Sequence, residues 1–189
     1  MAECIILAGG KSTRMGTNKM LLDFKGHPLL WHTIQSVKPF ASRIIVVTGK
    51  YDQEIKEALK EEKIEFVYNK DYELGMFSSV LTGVKEIKED FMVLPGDCPF
   101  IKKETFEKVL KGTGDIRYPK CGDLEGHPLY ISKKYKDELL SFGLDNNLKM
   151  FRDSKKCEII FVEDKNIGMN LNNILDFYQL KNKEEIVCK

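Results

Sequence analysis

The stretch Gly9-Gly10-Lys11-Ser12-Thr13-Arg14-Met15-Gly16-Thr17-Asn18-Lys19 concentrates glycines, hydroxyls and three cations, with no acidic residue among them. Glycine lets the backbone come close to a ligand and aim successive N–H groups at it, which makes a nest for an anion. Arg14 adds a planar fork of donors suited to phosphate oxygens, and Lys11 and Lys19 add point charges. The chemistry these residues suggest is the holding of a small polyanion. Two common phosphate motifs are absent. A Walker A loop needs a glycine where Ile5 stands, and the spacing of Gly9, Gly10 and Gly16 does not make G-x-G-x-x-G.

A second candidate lies in Leu94-Pro95-Gly96-Asp97-Cys98-Pro99, where one acid comes after an apolar run. A single carboxylate there suits Mg²⁺, which commonly takes one or two protein carboxylates plus substrate phosphates; it equally suits a turn or helix cap. Ser78 and Ser79 stand near the start of a helix-period segment, where unpaired N–H groups can face a ligand. His127, in Gly126-His127-Pro128-Leu129-Tyr130, is a lone histidine, compatible with a site or with packing. His27 and His32 read as surface or packing residues flanking a helix that begins near Pro28. There is no evident Ser-His-Asp or paired-carboxylate arrangement and no D-x-D pair.

The elements that must position these residues alternate along the chain. Cys4–Leu7, Arg43–Thr48, Glu65–Tyr68, Phe91–Leu94 and Glu158–Val162 are short, continuous apolar runs, as strands buried on both faces tend to be. Tyr51, Ile55, Ala58 and Leu59 share one helical face, and Met76, Val80, Val84 and Ile87 mark another. The alternating charges of 56–63 read as a solvated helix face. This succession predicts a three-layer α/β fold with a mainly parallel sheet, in a single domain over 1–189. The pattern weakens after about residue 112, where 120–125 suggests loops or an antiparallel excursion. In open α/β sheets ligands sit beyond the carboxyl ends of strands, which directs attention to the loops after Leu7 and Leu94.

Composition narrows the partners. In 189 residues, 30 Lys+Arg against 29 Asp+Glu leave a formal charge of +1, without the basic excess of a nucleic-acid binder. No apolar run approaches the roughly 20 residues that span a bilayer. Met1-Ala2-Glu3-Cys4 runs directly into an apolar strand without a basic lead-in, so no secretory signal is expected. Five cysteines without a C-x-x-C pair fit free thiols in the cytoplasm, not a disulfide framework or zinc site.

Leu7 to Lys19 resembles the signature of the MobA-like NTP transferases, L-A-[AG]-G-x-S-x-R-M-G-x-x-K, with every defining position filled, and the resemblance implies their Rossmann-like fold. The molybdenum-cofactor cytidylyltransferases and guanylyltransferases are the branch it is most similar to. The resemblance continues in Asn69–Val80, in Leu94–Pro99 and in Gly126–Leu129. It implies that Gly9, Gly10, Ser12, Arg14 and Lys19 cradle a triphosphate, with Leu7, Ala8, Gly75 and Ser79 near the base and ribose. It implies that Asp97 holds Mg²⁺ against the α-phosphate, while Arg14 and Lys19 neutralise departing pyrophosphate. His127 falls near the acceptor, and Asn170 or Asn172, in a turn like that of the guanylyl-type members, falls near the metal or acceptor.

The implied reaction joins CMP or GMP from an NTP to the phosphate of molybdopterin. A phosphate monoester, with its second pKa near ~6, is mostly a dianion at neutral pH and needs no general base. Base choice is divided: Gly10 and the Asn170/Asn172 turn resemble the GTP users, whereas Gly75–Val80, Gly126–Pro128 and Asn18-Lys19 resemble the CTP users and are more numerous. Transient contact with a molybdoenzyme is also implied. A sugar, polyol or isoprenoid phosphate acceptor is the alternative with the same chemistry. A non-catalytic nucleotide-binding module that delivers a cofactor is the alternative of another class.

Overall fold

The computed structural model describes residues 1–10 and 18–169. Its strands are β1 (Ala2–Leu7), β2 (Asp23–Phe24), β3 (His27–Pro28), β4 (Ala41–Thr48), β5 (Glu65–Tyr68), β6 (Phe91–Pro95), β7 (Ile116–Cys121), β8 (Leu124–Glu125), β9 (Leu129–Ile131) and β10 (Glu158–Phe161). The helices are α1 (Leu29–Val37), α2 (Asp52–Ala58), α3 (Met76–Glu86), α4 (Lys103–Lys111), α5 (Lys136–Leu140) and α6 (Leu148–Asp153). Among the described residues one sheet runs β10-β7-β9-β6-β1-β4-β5, with β8 paired to β7. β5, β4, β1 and β6 are mutually parallel, as are β7 and β10; β9 is antiparallel to both its neighbours.

The central strands are apolar at nearly every position because both faces are covered. β1 is buried throughout its length. Cys4 and Ile6 pack into one cluster with Leu30 and Ile34 of α1 and Phe106 of α4. Ile5 and Leu7 point to the opposite cluster, with Val80 and Val84 of α3 and Phe151 of α6. The result is the expected three-layer, mainly parallel Rossmann-like fold.

The antiparallel excursion expected at 120–125 is the β7–β8 hairpin, Lys120 facing Glu125, and the chain beyond residue 112 also places β7 and β9 in the main sheet. Other expectations need correction. His32 lies inside α1, its Nε2 2.7 Å from the Phe24 carbonyl, and His27 stacks on Trp31 at 3.9 Å. Met76 does not join the core stripe of α3; it is 67% exposed, and Phe77 takes the buried place. The 56–63 run is not wholly solvated, since Glu62 accepts from Trp31 Nε1 at 2.7 Å, Gln35 at 3.0 Å and Lys38 at 2.9 Å.

At the amino ends of the strands Arg43 joins β1, β4 and β5. Its Nη1 donates to Glu3 Oε1 at 2.8 Å, and its Nε donates to Glu65 Oε1 at 2.7 Å. Burial pushes the Glu3 carboxyl up, but Arg43 and the amides of Glu89 and Lys88 outweigh it and hold the group below its usual 4.5. This stabilisation is therefore present above pH 4.5 and is lost as pH falls through the lower, folded value. Arg43→Met leaves a buried carboxylate short of its cation and is expected to cost about 3 kcal/mol at pH 7. The deficit should shrink towards pH 4, read from urea midpoints at both values.

Candidate active site

β1 lies between β4 and β6. From β1 the chain builds outward through β4 and β5, then returns to place β6 on β1's other side, which opens a crevice at their carboxyl ends. Leu7 pairs with Pro95, and Gly96 N donates to Leu7 O at 2.9 Å. The glycine loop after β1 and the acidic loop after β6 thereby leave the sheet side by side. Thr33 of α1 fixes the second loop by donating its Oγ1 to Gly96 O at 2.8 Å.

Lys19 begins a 3₁₀ turn, Lys19–Leu21, capped by Asn18, whose Oδ1 accepts from Met20 N at 3.1 Å. The turn brings Lys19 Nζ to 2.6 Å from Asp97 Oδ2, with side-chain exposures of 20% and 6%. A lysine and a carboxylate that sequence reasoning placed in separate motifs thus meet at the mouth of one cleft.

The wall facing them is built from residues after β4 and β5. A Cβ on Gly9 would lie 2.7 Å from Ser79 Oγ, and one on Gly49 would lie 2.5 Å from Gly9 O. Asn69, almost wholly buried, donates its Nδ2 to Ser78 Oγ at 2.8 Å and to Ser79 Oγ at 3.0 Å. Ser78 donates in turn to Gly75 O at 2.7 Å, so it braces the turn while Ser79 faces the glycine loop. Gly75 has φ +99°, a conformation L side chains rarely adopt, and it delivers the chain into α3.

A cavity of about 400 Å³ is lined by Leu7, Gly9, Gly10, Lys19, Met20, Tyr72, Glu73, Gly75, Met76, Ser79, Pro95 and Asp97. Of the residues singled out in the sequence, Leu7, Gly9, Gly10, Lys19, Gly75, Ser79 and Asp97 are gathered here. Ala8 is not; its side chain packs in the core, and its N–H donates to Val47 O at 2.8 Å. Ser12 and Arg14, like Asn170 and Asn172, lie outside the described residues. Gly49 was missed, and Asn69 and Tyr72, which stand in the Asn69–Val80 motif, were given no role; Gly49 and Asn69 come directly after β4 and β5, strand ends to which the rule applied to Leu7 and Leu94 also extends.

A second cavity, about 390 Å³, shares Leu7, Met76 and Pro95 with the first and extends to Tyr118, Glu125, His127, Asn147, Lys149 and Arg152. Its polar end is ordered by Arg152, which donates to Glu125 Oε2 at 2.8 Å and lies over the Tyr118 ring at 4.2 Å. His127 lines the same space, held by its N–H donating to Ile167 O at 2.8 Å, and its buried Nδ1 has no hydrogen-bond partner among the described residues. Burial lowers its pKa to about 4, against a smaller opposing pull from Asp97, so the imidazole is neutral at pH 7.

Because the unfolded histidine takes its proton near 6.5, the folding equilibrium constant should lose up to tenfold per pH unit between 6.5 and about 4 on this account. His127→Asn is expected to remove that component, seen as a smaller drop in urea midpoint between pH 7 and pH 5 than in the parent chain.

Among the described residues no three His, Cys, Asp or Glu converge as a metal cage, and no helix is long and apolar enough to cross a membrane. Asp97, which lines the cleft along with Glu73, offers the sparse carboxylate set of an ion that brings most of its ligands as substrate oxygens and water, and so fits Mg²⁺ carried on phosphates. The described cysteines Cys4, Cys98, Cys121 and Cys157 are free thiols.

A glycine loop and an acidic loop at the switch point of a mainly parallel sheet define a nucleotide-binding α/β protein. More narrowly, residues 4–158 match the model of the MobA-like NTP transferase domain, and the chain belongs to that family of nucleotidyltransferases. It is 35% identical over 135 residues to the molybdenum cofactor cytidylyltransferase of Escherichia coli K12, covering 69% of this chain and 70% of that one. Its fold is that of a nucleotidyl transferase from Methanothermobacter thermautotrophicus (TM-score 0.83, 22% identity, 97% of each chain covered). It is also that of Rv0371c from Mycobacterium tuberculosis H37Rv (TM-score 0.85, 19% identity, 96% and 97% covered). A manganese complex of the latter protein superimposes with a TM-score of 0.74 at 17% identity over 96% and 98% of the chains.

Proposed function

We propose that this chain transfers CMP from CTP to the phosphate of molybdopterin, releasing pyrophosphate. The observation that carries the reading is the meeting of the two cavities at Leu7, Met76 and Pro95. Displacement at the α-phosphorus needs the attacking and leaving oxygens roughly in line, hence two ligands approaching one point from different sides. The choice of CTP and of a pterin acceptor is supported by the relative named molybdenum cofactor cytidylyltransferase, which aligns with most of the chain.

In this reading the triphosphate lies along Gly9 and Gly10, with Ser12, Arg14 and Lys19 about it, and the nucleoside lies towards Leu7, Gly75 and Ser79. The acceptor phosphate, already a dianion, forms the new P–O bond as the bond to pyrophosphate breaks. Lys19 holds the departing pyrophosphate and His127 faces the acceptor. Asp97 would hold Mg²⁺, which when bound would neutralise phosphate charge. The protein's contribution is otherwise alignment and fixed charge.

The test is pyrophosphate release from each of the four NTPs with Mg²⁺ and molybdopterin. Release with CTP at least tenfold above the others is expected. Release only with a sugar, polyol or isoprenoid phosphate would replace the acceptor. Nucleotide binding without release under any pairing would replace the enzyme by a delivery module.

A further inference from the structure

Two loops meet at one end of the sheet. β6 leads into Asp97 of the first cavity, and His127 of the second cavity comes just before β9. The ladder between β6 and β9 stops short of both. It ends at Val93 facing Leu129. In the same register the next two pairs, Leu94–Pro128 and Pro95–His127, each contain a proline, which has no N–H to donate. Hydrogen bonds between these strands therefore do not set the spacing of the two loops.

The 3₁₀ turn Lys165–Gly168, with the residue before it, touches both. Asp164, 2% exposed, accepts through Oδ2 from Lys102 N and Thr105 Oγ1 at 2.8 Å each, and through Oδ1 from Asn166 N at 3.0 Å. One buried carboxylate thus ties the turn to the start of α4. Asn166 Nδ2 donates to Phe100 O at 2.9 Å, on the loop that carries Asp97. The next residue reaches the other loop: Ile167 O accepts from His127 N at 2.8 Å. The approach is so close that a Cβ on Gly126 would lie 2.3 Å from that oxygen. Asn166 itself lines neither cavity.

We propose that Asn166 is a positioning residue, whose amide ties the Asp97 loop to the turn that holds the His127 loop and so sets the spacing between the two bound ligands. The proposal rests on the transfer reaction proposed above, because in-line displacement needs both ligands held at one spacing. Asp164 fixes the backbone of the turn, and Ile167 O carries the acceptor side. Losing the Asn166 donor leaves each cavity with all its lining residues and frees one loop to shift against the other.

The test compares Asn166→Leu, which keeps the size of the side chain and removes its donor, with the parent chain. At saturating CTP, Mg²⁺ and molybdopterin, pyrophosphate release should slow by about 10²-fold, the cost of about 1 Å of misplacement between reacting groups. KM for CTP should stay within about threefold and circular dichroism should not change, a split that lost binding or lost folding would not produce. Amide exchange gives a readout that needs no turnover. The N–H groups of His127 and Lys102 should exchange about tenfold faster in the variant, while that of Ile5 in β1 keeps its rate. Parental kcat in Asn166→Leu overturns the proposal, and so does a loss carried by a raised KM for CTP with kcat kept. A parent chain that releases no pyrophosphate is instead a failure of the reaction. The exchange rates then decide: raised rates support the joint, and unchanged rates overturn it.

Discussion

Asp97→Asn is expected to slow pyrophosphate release by about 10²–10³-fold at saturating nucleotide and acceptor, the cost of removing one preorganised electrostatic group from a reacting centre. The substitution is close to isosteric, and the amide carbonyl can still accept from Lys19. Fold and nucleotide affinity should therefore survive while turnover falls. The local geometry explains why the charge matters. Asp97 is 6% exposed, and Lys19 Nζ lies 2.6 Å from its Oδ2. The pair sits partly out of water, where each charge is felt more strongly than in bulk solvent. Lys19→Ala leaves that carboxylate without its cation, so it should lower stability as well as rate. The two substitutions share one interaction, and the double variant should lose less than the product of the single losses. Initial rates with thermal midpoints as the control decide the matter; near-parental turnover in Asp97→Asn would remove Asp97 from the machinery.

How far the sequence alone reaches can be seen by setting β1 beside β7. β1, β4 and β6 are central and parallel, so helices cover both faces and the strands read as unbroken apolar runs. β7 is Ile-Arg-Tyr-Pro-Lys-Cys and does not read as a strand. Arg117 is buried there only because its Nη1 and Nη2 donate to Gly114 and Leu110 carbonyls, its Nε contacts Val109 O, and its guanidinium lies 3.4 Å over the Tyr130 ring. Those partners lie on α4, the turn before β7 and β9, so local sequence carries no sign of them. β9, three residues long, is too short for any period to show. The same divide separates the parts of the site. Gly9, Lys19 and Asp97 announce themselves by residue type next to a strand end. Asn69 and Gly49 matter through contacts with Ser79 and Gly9 that exist only once the strands are side by side.

Gly49→Ala isolates that hidden layer. Alanine can adopt the backbone at Gly49, which is not among the positive-φ glycines, so the effect is steric rather than conformational. Its Cβ would lie 2.5 Å from Gly9 O, 2.9 Å from Gly9 Cα and 2.8 Å from Tyr72 Cβ, none of them the free end of a long side chain. The glycine loop or the Tyr72 turn must therefore move. Overpacking of this kind costs about 1–3 kcal/mol. Displacing a ligand-positioning loop by about 1 Å can cost on the order of 10² in rate. Gly49→Ala is thus expected to lower kcat/KM for the nucleotide about 10²-fold together with a measurable loss in urea midpoint. Gly10→Ala separates packing from ligand contact, since among the described residues a Cβ there meets nothing within 4 Å. It should keep the parental midpoint, and any change it shows in kcat/KM must come from crowding the bound nucleotide. A Gly49→Ala chain with parental kcat/KM would mean that the Gly9–Gly49 contact does not set the position of the phosphate loop.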